Sequence, residues 1–141
     1  MALMPTAALG SRTDILAAEI PAGAATSARA IARMYAALLG EVDGVRLLGP
    51  QRLREATAPA ATGIDAVFGN PATWALGYAV GLPGGDPRDS PTVFGMGGAG
   101  GSFTYGDTAT GVAFALPKNV LSPDFRTAET CIGMVRDATR D

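Results

Sequence analysis

Between Thr26 and Gly40 the apolar residues Ile31, Met34, Tyr35 and Leu38 recur at i, i+3, i+4 and i+7. That spacing lines one face of a helix. Thr26 or Ser27 offers a hydroxyl to cap its start, and Gly40 is read as the left-handed residue that ends it. Val45 to Leu48 is a short apolar run, after which Pro50 suits the first position of a short helix over Gln51 to Ala56. Residues 57–73 hold Pro59, Gly63, Gly69, Asn70 and Pro71 and are expected to be a loop. The period then changes. Trp74 to Leu82 (WALGYAVGL) mixes aromatic and β-branched residues and predicts a strand. Beyond the turn cluster at 83–91, Val93 to Met96, Ser102 to Gly106 and Val112 to Leu116 predict three more strands, divided by Gly97–Gly101 and Asp107–Gly111. Strands joined by such short turns pair as an antiparallel meander. Helical spacing returns from Phe125 to Ala138, where Ala128, Ile132 and Val135 share a face and Asp124 is the expected cap.

Residues 1–25 are rich in Ala and Pro without a period, so they read as an irregular segment before one structured region at 26–141. The chain has 141 residues, of which 48% are hydrophobic and 17% charged, enough for one domain with a core. The 19 glycines and 10 prolines call for short elements and many turns. A net charge of −2 gives no electrostatic footprint for nucleic acid, and no Lys/Arg cluster suits a membrane surface. No apolar run reaches the length of a membrane span. Met1 to Gly10 is apolar but lacks a basic leader region, so no signal peptide is read there and a cytoplasmic location is expected.

Histidine is absent, which removes Ser-His-Asp and Cys-His catalysis and His-ligated metals from this chain. No metal and no cofactor are expected. Cys131 is the only cysteine, so no internal disulfide can form, and its place in a helical pattern suits a buried structural thiol. GMGGAG, Gly95 to Gly100, matches G-x-G-x-x-G, but a dinucleotide site needs a helix to open after it. A β pattern, Ser102-Phe103-Thr104-Tyr105, follows instead. The glycines then mark either a strand edge that something approaches closely or a bulge or tight turn. Ser-Lys chemistry places a lysine three residues after the serine, on the same helix face. After Ser11, Ser27, Ser90, Ser102 and Ser122 stand Asp14, Ala30, Val93, Tyr105 and Phe125, and no G-x-S-x-G elbow occurs. The 13 carboxylates show no spacing that points to paired acid chemistry.

GVRLLGPQRL, WALGYAVG and FGMGGAGGSFTYGD, in that order, resemble the C-terminal part of the β-lactamase-related serine hydrolases. That group takes in class C-like β-lactamases, penicillin-binding-protein-like enzymes and related esterases. AEIPAGAATSARAIARMYAALLG is similar to the segment that precedes this region in the esterase-like branch, so the resemblance covers about residues 15–138. It implies an α/β (α+β) fold in which this chain supplies an antiparallel meander, a closing helix and some of the helical region. It implies a parent activity of ester or amide hydrolysis through an acyl-serine, with an esterase favoured.

Of the family's motifs, S-x-x-K is absent. The Tyr motif is absent too, because Ala37, Val80 and Asp107 follow two positions after the tyrosines. The third motif has a counterpart at Met96-Gly97-Gly98, with Met96 where the family usually has a basic residue. A thioether neither orients an anion nor moves a proton. By resemblance Met96, Gly97, Gly98 and Ala99 border the substrate, and the Ala99 N–H is one oxyanion-hole donor. The chain is therefore expected to be a truncated or split portion, inactive alone. The alternatives are a non-catalytic ligand- or protein-binding module that uses the glycine-lined cleft, or a remnant without a function. The resemblance also implies that strands from an N-terminal part would flank Val112 to Leu116. The expected partners are an N-terminal hydrolase half or a second copy joined at that sheet edge.

Overall fold

The computed structural model describes residues 8, 11–17, 26–120, 122 and 124–139. One turn of helix, α1 (Thr13–Leu16), lies in the segment expected to be irregular; most of the rest of residues 1–25 falls outside the described residues. Helix α2 (Ala28–Leu39) starts where the Ser27 hydroxyl accepts from the Ala30 N–H at 3.2 Å. It buries Tyr35, Ala37 and Leu38, while Met34, expected on the same face, is 44% exposed. Gly40 does not end it in the left-handed form. Its φ of −152° is extended, and the helix closes through the Gly40 N–H on the Ala36 carbonyl. Helix α3 (Pro50–Thr57) begins at Pro50, as the missing N–H of proline allows.

Six strands follow in one sheet whose spatial order is the chain order: β1 (Ala61–Ile64), β2 (Pro71–Trp74), β3 (Ala79–Val80), β4 (Val93–Gly97), β5 (Phe103–Asp107) and β6 (Ala113–Leu116). All neighbours are antiparallel. The meander of β4, β5 and β6 is the expected one, with each strand start within a residue of the reading.

Upstream, two expectations fail. Residues 57–73 are not a loop: they contain the hairpin β1–β2, in register from Ala61↔Trp74 to Ile64↔Pro71. The turn residues belong to its tip, where the Asp65 carboxylate accepts from the Val67 and Phe68 N–H groups at 2.8 and 2.9 Å and Gly69 has φ +74°. WALGYAVGL is likewise not one strand. Trp74 ends β2, the chain reverses at Gly77 (φ +86°), and β3 begins at Ala79.

The sheet carries a cluster on each face. On one side Phe94, 1% exposed, packs with Tyr35, Leu38 and Leu53. Tyr35, Tyr78 and Phe94 form a three-ring cluster with centroids 5.1–6.4 Å apart. On the other side Val93, Phe103 and Tyr105 meet Ala128 and Ile132 of the closing helix α4 (Arg126–Ala138). Strand alternation produces this division, since successive side chains point to opposite faces. The cap of α4 is displaced from expectation. Phe125 holds the N-cap position, and Asp124, one residue earlier, accepts from the Arg126 N–H at 3.2 Å. Cys131 is half-buried rather than buried. Among the described residues no helix is long and apolar enough to cross a membrane.

Candidate functional site

β4 ends in the glycine run. The ladder continues one step beyond the strand, with the Gly98 N–H donating to the Ser102 carbonyl at 2.8 Å. Gly101, at φ +79°, then closes a tight turn through its N–H on the Gly98 carbonyl at 2.9 Å. β5 follows immediately, so no helix opens here and the dinucleotide geometry is absent. Both readings of the glycines apply, at different positions. Gly101 serves the turn. Gly97 and Gly95 serve close approach: a Cβ on Gly97 would lie 3.2 Å from the Phe125 ring, and one on Gly95 would lie 2.8 Å from Tyr105 Cα.

The four residues singled out by sequence, Met96, Gly97, Gly98 and Ala99, thus occupy one continuous strand end. Met96 is 41% exposed and stands opposite Thr104, on the sheet face that α2 covers. Ala99 is exposed, and its N–H finds no acceptor among the described residues. An amide at a strand end that meets no acceptor among the described residues can donate to a carbonyl or anionic oxygen.

Around this turn are residues that motif reasoning did not single out. The Lys118 N–H donates to Ser102 Oγ at 2.9 Å, the Lys118 ammonium donates to the Asp124 carbonyl at 3.3 Å, and the Ser122 N–H donates to the Gly100 carbonyl at 3.2 Å. On the other face Thr104 Oγ1 donates to the Tyr35 hydroxyl at 3.3 Å. Burial pushes the Tyr35 phenol above its ordinary value, a trend the Thr104 hydrogen bond only partly opposes. The Asp124 carboxyl is held below the usual range, first by the hydrogen bond from the Arg126 guanidinium. The serine hydroxyls near the turn are engaged: Ser102 accepts from Lys118, and Ser122 bonds the Asp124 carboxylate at 3.2 Å. Among the described residues no three His, Cys, Asp or Glu side chains gather as a metal site. A shallow cavity of about 310 Å³ beside Ser90, Tyr105, Asp107 and Arg136 lies at the far end of β5 from the glycine turn.

The chain as a whole has relatives among known proteins. The family model described as Beta-lactamase matches residues 4–130. The chain is 43% identical to the esterase/β-lactamase LipL of Mycobacterium tuberculosis, over 83% of this chain and 28% of that protein. It therefore spans under a third of that relative's length. Among solved structures, a family VIII carboxylesterase superposes with a TM-score of 0.78 at 26% identity, covering 94% of this chain and 37% of the other. A penicillin-binding protein homologue from Caulobacter crescentus superposes at 0.60 with 33% identity, covering 72% and 29%. With a family match over most of its length and a fold shared with these hydrolases, the chain belongs to the β-lactamase family of serine hydrolases.

Proposed function

We propose that this chain carries the strand-borne, acyl-oxygen-binding part of a serine hydrolase, with ester hydrolysis as the parent activity, and that it does not turn over substrate alone. The observation that carries this reading is the N–H of exposed Ala99, without an acceptor among the described residues, at a glycine-rich strand end. Such a donor stabilises a developing oxyanion. The glycines let the strand end lie close against Phe125 and Ser102, and Met96 leaves the site without the family's usual basic group. The nucleophile and its lysine would come from the N-terminal part of the hydrolase domain, which in relatives makes up most of the length.

The test is incubation of the chain with short-chain nitrophenyl esters and a chromogenic cephalosporin. No turnover is expected, because loss of nucleophile and base costs orders of magnitude. Turnover abolished by substituting any one of Ser11, Ser27, Ser90, Ser102 or Ser122 would overturn the proposal. A second reading, a binding module, rests on the exposure of the apolar Met96 side chain at the same strand end. Saturable binding of a non-hydrolysable ester analogue by the chain, with no effect of an added N-terminal half, would favour it.

A further inference from the structure

A turn with glycine at 97, 98, 100 and 101 has little reason of its own to hold one shape, since glycine populates both signs of φ and loses the most entropy on ordering. In this structure the turn's two internal hydrogen bonds, from Gly98 to Ser102 and from Gly101 to Gly98, are reinforced from outside. The stretch from Lys118 to Phe125, which links β6 to α4, touches the turn on both sides of Ala99. Before Ala99, the Phe125 ring lies under Gly97 and meets Phe103 edge-on, with ring centroids 6.3 Å apart. After Ala99, the Ser122 N–H holds the Gly100 carbonyl. The Ser122 and Asp124 carbonyls close over the Gly101 Cα, and the Lys118 ammonium would lie 2.8 Å from any Cβ there. Ser102, the first residue past the turn, accepts from the Lys118 N–H at 2.9 Å. Lys118 is the only lysine in the chain and is half-buried. Among the described residues its ammonium forms no ion pair, and the hydrogen-bond partner it finds is the Asp124 carbonyl, which pins the linking stretch to itself.

We infer that Ser102 and Lys118 are positioning residues: they clamp the 118–125 stretch onto the glycine turn and so fix the direction of the Ala99 N–H. The use assigned to that N–H rests on the function proposed above, whereas the clamp itself does not. Neither residue touches substrate. Each acts by limiting the conformations of the turn, so that the donor is already aimed when a carbonyl oxygen arrives.

The experiment uses the isotope-labelled full chain, with backbone amide order parameters and a titration with butyrate, a short carboxylate that stands in for the acyl oxygen. In the unsubstituted chain Gly98 to Gly101 should show order parameters near those of the sheet, about 0.85. Butyrate should shift the Ala99 amide saturably. Ser102→Ala should lower order at 98–101 to about 0.6 or less and weaken butyrate roughly fivefold, the loss of one hydrogen bond. Ser102→Thr, which keeps the Oγ acceptor, should restore both. Lys118→Met should loosen the turn in the same direction. In all variants β4–β5 amides such as Phe94 and Tyr105 should keep their shifts, which separates positioning from general destabilisation. Unchanged order at 98–101 in both Ser102→Ala and Lys118→Met overturns the inference. So does an equal loss of order across the whole sheet, or failure of Ser102→Thr to rescue. If butyrate leaves the Ala99 signal of the unsubstituted chain unmoved, the oxyanion reading fails, and the order parameters still decide the clamp.

Discussion

Phe94 has the largest side chain that is fully buried, and its neighbours leave little room for adjustment. The tyrosines at 35 and 78 close on it, and a Cβ at Gly106 would lie 2.9 Å from its ring. Phe94→Ala should cost about 3–5 kcal/mol, enough to leave much of the chain unfolded at room temperature, as read by loss of near-ultraviolet circular dichroism. Tyr35 gives a pH signature. Its raised pKa means that the folded state favours the neutral phenol. That contribution to stability is complete below the unfolded value of about 10 and is lost as pH rises through the higher folded value. Denaturant midpoints should fall on the alkaline side, and Tyr35→Phe should flatten that fall; an unchanged alkaline limb would show that other groups set it. At Met96 the half-exposed thioether leaves space for an imidazole. Where an N-terminal half restores the serine, Met96→His should raise esterase activity or leave it level, and a large drop would assign Met96 a packing or substrate role. The strand end at 96–99 was legible because glycine spacing and family resemblance are both local signals. The clamp was not, because Lys118 and Ser102 meet across 16 positions and no motif joins them.

Amphipathic elements read well and exposed ones did not. Helices α2 and α4 bury one face, and strands β4 to β6 send apolar side chains into the clusters on the two faces of the sheet, so their apolar residues revealed them. β1 is exposed at all four positions, so it has no apolar alternation to detect, and the Gly, Asn and Pro of its hairpin imitate a loop. The β2–β3 reversal was hidden because apolar residues run through it on both sides of Gly77. The hairpin tip depends instead on the Asp65 carboxylate, which its hydrogen bonds from the Phe68 and Val67 amides hold below the usual range. Asp65→Ala should accelerate amide exchange at Val67 and Phe68 while leaving the melting temperature nearly unchanged, because little apolar area is buried there. A melting temperature lowered by many degrees would mean that the hairpin is integral to the core.

At the scale of the molecule, β6 is an edge of the sheet as described: among the described residues it pairs with β5 alone. The Asp107 N–H bonds the Val112 carbonyl, so ladder alternation turns the N–H and C=O of Ala113 and Ala115 outward. They meet no partner among the described residues. The edge carries neither charge nor proline until Pro117, so its own residues do not guard it against pairing. Self-association, or capture of an N-terminal half, is the expected result, seen as a sedimentation coefficient that rises with concentration. Ala115→Pro removes one outward donor without touching the β5 ladder and should return the chain to a monomer; a monomer at every concentration before substitution would refute the edge role. The sequential strand order has a kinetic consequence as well. Every ladder joins neighbours in the chain, so each hairpin can close over a short loop, and loop closure sets the pace of sheet formation. The contact between Thr104 and Tyr35, by contrast, spans 69 positions. In pulse-labelled refolding the hairpin amides of β4 and β5 should gain protection first, and α2 should dock afterwards as the slow, committing event.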